Sequence, residues 1–264
     1  MRDEAVNRRG ALTTIADAHT PAAPISCRMP SRRRRRTRRA LVLALLVSGL
    51  VLMSWPRSAS AQVSIWLQKG VSGVGGAVVV EHSGDQNNYG VNAGYSLRGF
   101  VDFDLTIAYF TLDDEDLPPD TDGAVVIPRA EIHPLKQGPA MPVSVGVGAG
   151  IAAFAVSSDE FDRRDIEVEE YNINADVSVY RFFKLAPNLG VTPAAQVSYV
   201  HGWATVSQFG DEIGSSSSDR VGLGLATYVA FLDGAGHIWG VAPNVSFDKD
   251  GVNFGLRAGI VLPL

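Results

Sequence analysis

From Val101 to Tyr109 the chain alternates: Val101, Phe103, Leu105, Ile107 and Tyr109 are apolar, while Asp102, Asp104, Thr106 and Ala108 between them are acidic, polar or small. A period of two belongs to a strand with unlike faces. The pattern recurs on both sides of this stretch. Residues 73–82 set Val74, Val78 and Val80 against Gly75, Ala77, Val79 and Glu81. Residues 87–97 set Tyr89, Val91, Ala93, Tyr95 and Leu97 against Asn88, Gly90, Asn92, Gly94 and Ser96. Further strands are expected over 124–135, 141–156, 169–183, 191–205, 221–232, 237–247 and 252–264. In each the apolar side is the more continuous one, which suits an outer face against lipid and an inner face of polar and small residues. A sheet in a bilayer must close, because its open edges would leave backbone groups with neither partner nor water. The expected fold is therefore all-β: a transmembrane antiparallel up-and-down β-barrel of about ten strands, with eight as the alternative.

The connections carry their own asymmetry. The stretches at Arg98-Gly99, 136–140, 185–190 and 233–236 are short and are expected on the periplasmic side with both chain ends. Those at 113–123, 157–167 and 206–219 are longer, acidic or serine-rich, and are expected as external loops. Tyr180, Phe182, Phe183, Trp203, Trp239 and Phe247 stand near strand ends, where aromatic girdles sit at the two membrane surfaces.

Upstream, Arg32 to Arg36 with Arg38 and Arg39 precede an apolar run from Ala40 to Trp55 and the small residues Ala59-Ser60-Ala61. This is the order of a secretory signal peptide over 29–61, with Met29 as its expected start and Met1 as the alternative. A basic nucleic-acid patch would not be followed at once by such a run, and a membrane anchor would not carry Ser48, Gly49 and Ser54 within it. The expected organisation is an extension over 1–28, the signal, a periplasmic lead over 62–72 and a barrel over 73–264. Of 23 Lys+Arg, 12 lie before Gln62, against only 3 of 28 Asp+Glu, so the chain from Gln62 onward carries a net charge of −14. Nucleic acid is thereby excluded as a natural partner. Cys27, the only cysteine, lies upstream of the cleavage site, so neither disulfide nor thiol chemistry is expected in the barrel.

The ionisable residues expected to face inward are Glu81, Asp102, Asp104, Arg129, Glu131, His133, Asp176 and Arg257. Buried charges persist when paired, so they read first as an Arg/carboxylate network filling the lumen. Read functionally, they line a narrow, polar, cation-preferring pore for small solutes, in which carboxylates set the field and arginines constrict it. Arg129, Glu131 and His133 share one strand face, as an acid/base site would require, but no serine occupies a Gly-x-Ser-x-Gly context and no catalytic residue is assigned. The acidic stretch from Asp113 lacks the spacing of a calcium loop, and neither metal nor cofactor is expected.

With its strand at 87–97, the strand at Val101 and the terminal alternation from Phe254 to Leu264, the segment 73–264 resembles the small outer-membrane β-barrel proteins of Gram-negative bacteria, the OmpA-type transmembrane domain and its porin-like relatives. The resemblance implies residence in the cell outer membrane amid its lipid and lipopolysaccharide. It also implies a C-terminal strand read by the barrel assembly machinery; that strand commonly ends in an aromatic residue, where this chain has Leu264. The functional expectation is a non-enzymatic barrel, structural or a narrow pore. The alternative is a surface-binding or adhesion barrel meeting an extracellular partner through its acidic loops, and an outer-membrane enzyme stands third.

Overall fold

The computed structural model describes residue 65, residue 67 and residues 69–264, apart from 85, 114–116, 119 and 250. The expected signal peptide, the extension before it and part of the lead lie outside the described residues.

The wall starts with β1 (Gly73–Ser83), β2 (Gln86–Leu97), β3 (Val101–Leu112), β4 (Thr121–Leu135) and β5 (Ser144–Ser157). A short helix, α1 (Asp159–Arg164), leads to β6 (Ile166–Tyr180) and its continuation β7 (Phe183–Ala186). The chain then forms β8 (Leu189–Gln208), β9 (Asp211–Leu232), β10 (Ile238–Asp248) and β11 (Gly251–Pro263). Each neighbouring pair is antiparallel, β1 pairs with β11, and β6 pairs with β8 along its whole length. The sheet thus closes into ten staves, β6 and β7 sharing one. Closure satisfies the inter-strand ladder around the wall, which a bilayer demands.

The alternation read from the sequence decides which way each residue faces. Val78, Val91, Phe103, Leu105, Ile107, Ile151, Val177 and Leu256 are exposed on the outside, while Asp102, Asp104, Asn92, Glu131 and Arg257 are buried inside. A soluble protein could not hold so continuous an apolar outer surface in water. Arg98 and Gly99, at φ 54° and 60°, form the tight turn between β2 and β3.

Two stretches differ from the loops expected of them. Residues 206–219 are not a loop: they lie within β8 and β9, which pair from Leu189↔Phe231 up to Gln208↔Asp211 and meet at the turn Phe209-Gly210. Serine and glycine have weak strand propensity, but continued cross-strand pairing outweighs it. Within 157–167, Ser158 accepts a hydrogen bond from the Phe161 amide and caps α1, with acids in the first turn and arginines in the last, as the helix dipole favours. The apolar residue Phe161 is buried, so tertiary packing supports a helix too short to stand alone.

Candidate functional site

All eight expected inward residues reach the lumen. Glu81, Asp102, Asp104, Glu131, His133, Asp176 and Arg257 are buried, and the Arg129 side chain is 8% exposed. Their arrangement follows from register. Asp102 is the cross-strand partner of Glu131, and Asp104 of Arg129. Acids directly opposite one another repel. His133, two residues beyond Glu131 on the same face, lies beside both acids: its Nε2 is 3.2 Å from Asp102 and its Nδ1 3.8 Å from Glu131.

On the other side of Glu131, Arg129 Nη1 donates to it at 2.6 Å, and Arg129 Nη2 donates to both Asp176 oxygens at 2.7 and 2.8 Å. Ser178 adds a bond to Glu131 at 3.1 Å. To reach β6, the arginine and glutamate must cross β5, and they cross it at glycines. A Cβ on Gly148 would collide with the Arg129 guanidinium, and one on Gly146 with the Glu131 carboxylate. The small inner face of β5 therefore makes room for the long side chains of β4. Across the barrel, Arg257 stands 3.7 Å from Glu81, and a Cβ on Gly255 would press on Glu81.

The geometry also brings in residues outside the expected set. Lys136 donates to the Tyr180 hydroxyl at 3.0 Å, and that hydroxyl lies 3.1 Å from His133 Nδ1. One consistent proton order satisfies the row: Lys136 donates to Tyr180, Tyr180 to His133 Nδ1, and His133 Nε2 to Asp102. Buried Glu170 takes a bond from Asn172 at 3.3 Å and lies within electrostatic reach of Arg220 on β9. Glu170 shares the parity of Asn172, Asn174 and Asp176, so the alternation carried its signal. Arg220 lies just before the expected strand over 221–232, where the serine run masked the strand.

Above and below this polar layer lie apolar clusters, beside buried polar residues such as Ser83, Gln86 and Asn88 at one end and Ser96 and Ser144 at the other. Towards α1, the rings and branched side chains of Phe110, Val125, Phe154, Phe161, Val168 and Val206 pack into one cluster, with Phe110 and Phe154 edge to face at 6.3 Å. At the end bearing Gly73 and Leu264, Ile65 packs with Tyr180, Tyr228, Ala226 and Ala242, and Leu67 with Val261. Among the described residues, no group of three or more His, Cys, Asp and Glu is arranged to hold a metal ion.

No protein-family model matches the sequence. No curated protein matches it either. Solved structures similar to it include Ail, the attachment invasion locus protein of Yersinia pestis, at 11% identity and TM-score 0.36, over 75% of this chain and 100% of that one. The β domain of the Bordetella autotransporter BrkA aligns at 11% identity and TM-score 0.44, over 75% and 100%. The outer membrane protease OmpT of Escherichia coli aligns at 11% identity and TM-score 0.39, over 74% and 94%. Likeness at this level carries no functional information. The wall itself is the decisive feature: ten closed staves with an apolar outside and a charged inside have the architecture of a membrane-spanning β-barrel.

Proposed function

We propose that this protein is a non-enzymatic integral barrel with a closed lumen, acting as a structural scaffold of the outer membrane that presents its loop end outside. The observation that carries the reading is the filling of the lumen along its length: Phe110, Phe154 and Phe161 at one end, the Arg129 network in the middle, and Ile65 with Tyr180 and Tyr228 at the other. Ten-stranded barrels are narrow enough for side chains to occlude. His133 supports the non-enzymatic part, since it is fully buried and committed to Asp102 and Tyr180. The natural surroundings of such a barrel are membrane lipid and lipopolysaccharide, with β11 as the strand that assembly machinery would read.

One observation favours the narrow cation-preferring pore as a second reading. The buried carboxylates Glu81, Asp102, Asp104, Glu131, Glu170 and Asp176 outnumber the cations Arg129, Lys136, Arg220 and Arg257, which favours cations in the lumen. Single-channel recording of the refolded protein in planar bilayers separates the two. A silent barrel with heat-modifiable gel mobility is expected. Steady cation-selective conductance, reduced by Asp102→Asn with Asp104→Asn, would replace the closed scaffold with the pore.

A further inference from the structure

The staves do not all rise to the same height, and the difference leaves one strand edge uncovered. β8 is paired on both sides almost to its tip, with β6 up to Ile166↔Gln208 and with β9 up to Gln208↔Asp211. β9 is not: its pairing with β10 stops at Phe247↔Leu223. Among the described residues, no strand pairs with residues 211–222 on the side away from β8. The register shift between Val206 and Ser207 leaves Ile213 as an extra residue near the tip, which disrupts the outermost part of this edge. Below it, residues 214–220 run as a regular strand above the apolar band, a length of roughly 24 Å at about 3.4 Å per residue.

This edge carries few of the devices that usually blunt one. Its sequence, Gly214 to Arg220, has no proline and no lysine, and four consecutive serines leave little bulk on either face. It is also held in place. The Phe209 amide bonds to the Asp165 carbonyl at 3.0 Å, and Gln208 Nε2 to the Arg164 carbonyl at 3.0 Å, so the hairpin tip is tied to α1 on the side away from the open edge. A preformed edge loses little conformational freedom when a strand is added to it.

The charge around the edge selects the partner. Asp211, Glu212 and Asp219 are exposed on β9 itself. Asp219 accepts bonds from Tyr199 at 2.5 Å and His201 at 2.8 Å, which hold its carboxylate on the outer face in line with Ser215 and Ser217. We propose that residues 214–220 of β9 are a β-augmentation site for an extended, basic peptide segment of another protein. The added strand would place Lys or Arg on the face of Asp219 and small residues opposite Gly214, Ser216 and Ser218. A second copy of this chain fits poorly, because its own edge brings further acids to the same place.

The test uses the full refolded protein in neutral-headgroup micelles with a fluorescent peptide, Lys-Ser-Lys-Ser-Lys-Ser-Lys, and an analogue of equal charge N-methylated at alternate residues. Binding of the first peptide is expected to slow amide exchange within residues 214–220, and the analogue is expected to bind on the order of tenfold more weakly or worse, because it lacks the backbone donors of one edge. Asp219→Asn should weaken the first peptide and leave the barrel's heat-modifiable mobility unchanged. Equal binding of both peptides would overturn the proposal in favour of charge attraction alone. So would absent binding, protection located elsewhere, or concentration-dependent protection of the edge without peptide, which would make a second copy the occupant.

Discussion

Arg129 reaches Asp176 across an intervening strand: its Nη2 donates to Oδ1 at 2.7 Å and Oδ2 at 2.8 Å, over the bare backbone of Gly148. This pair, with Glu131, binds β4 to β6 through the lumen in addition to the ladders that bind each to β5. Removing the arginine strands two buried carboxylates. Arg129→Met is expected to cost about 3–5 kcal/mol, whereas the triple change Arg129→Met, Glu131→Gln, Asp176→Asn should recover much of it. Urea-unfolding midpoints in micelles check both, and equal losses in the single and triple variants would contradict the network's role.

Gly148 itself is a second lever. A side chain there must displace the Arg129 guanidinium, so Gly148→Val is expected to destabilise as strongly as loss of the arginine, by about 3–5 kcal/mol. Combining Gly148→Val with Arg129→Met should cost less than the sum of the two, since both act on the same contact. Additive losses would mean that the glycine serves something else.

The apolar cluster near α1 makes a prediction about leakage under the closed-lumen reading. Phe161 and Phe154 belong to the cluster at that end, and Ile65 to the one at the other. Phe154→Ala with Phe161→Ala and Ile65→Ala is expected to raise swelling rates of proteoliposomes in small cationic solutes above those of the parent protein. Opening only one end should change them little. Ser158→Ala, which removes the cap of α1, is expected to loosen the helix by about 1 kcal/mol and to speed amide exchange at Phe161 and its neighbours.

Asp233 provides a pH dependence outside the membrane. Its carboxylate accepts from the Trp239 indole at 3.1 Å and from the Ala235 and His237 amides at 2.9 Å each, and these bonds, the indole's first, hold its pKa down to about 2. A folded-state pKa below the ordinary value of 3.8 means that the ionised form stabilises the turn. That contribution is complete above the unfolded-state pKa and is lost as pH falls through about 2. The Trp239 indole proton followed by NMR should titrate near pH 2; a midpoint near 4 would refute the bonding. Asp233→Asn should remove the titration.

The barrel was legible because its signal is local. Each residue from Val74 to Leu97, and from Val101 to Leu112, needed only its parity to be placed inside or outside, and closure followed from the physics of lipid. The eight inward charges were legible for the same reason. The serine run at 215–218 was not, because strand propensity there is weak and the ladder that holds it comes from β8. α1 was hidden too: six residues form a helix only when the lumen receives Phe161.

By itself the sequence determined which face of each strand meets lipid, since a period of two is written residue by residue and a one-residue slip would invert it. It also determined which charges share the lumen. Only the tertiary structure decided which charges pair, because Arg129 and Asp176 are 47 residues apart and meet through the register of three strands. The same register decided that apolar clusters form towards both ends of the lumen and that β9 rises past β10 with an open edge. Those relations depend on where neighbouring staves start and stop, and no local pattern in the chain encodes the relative height of two strands.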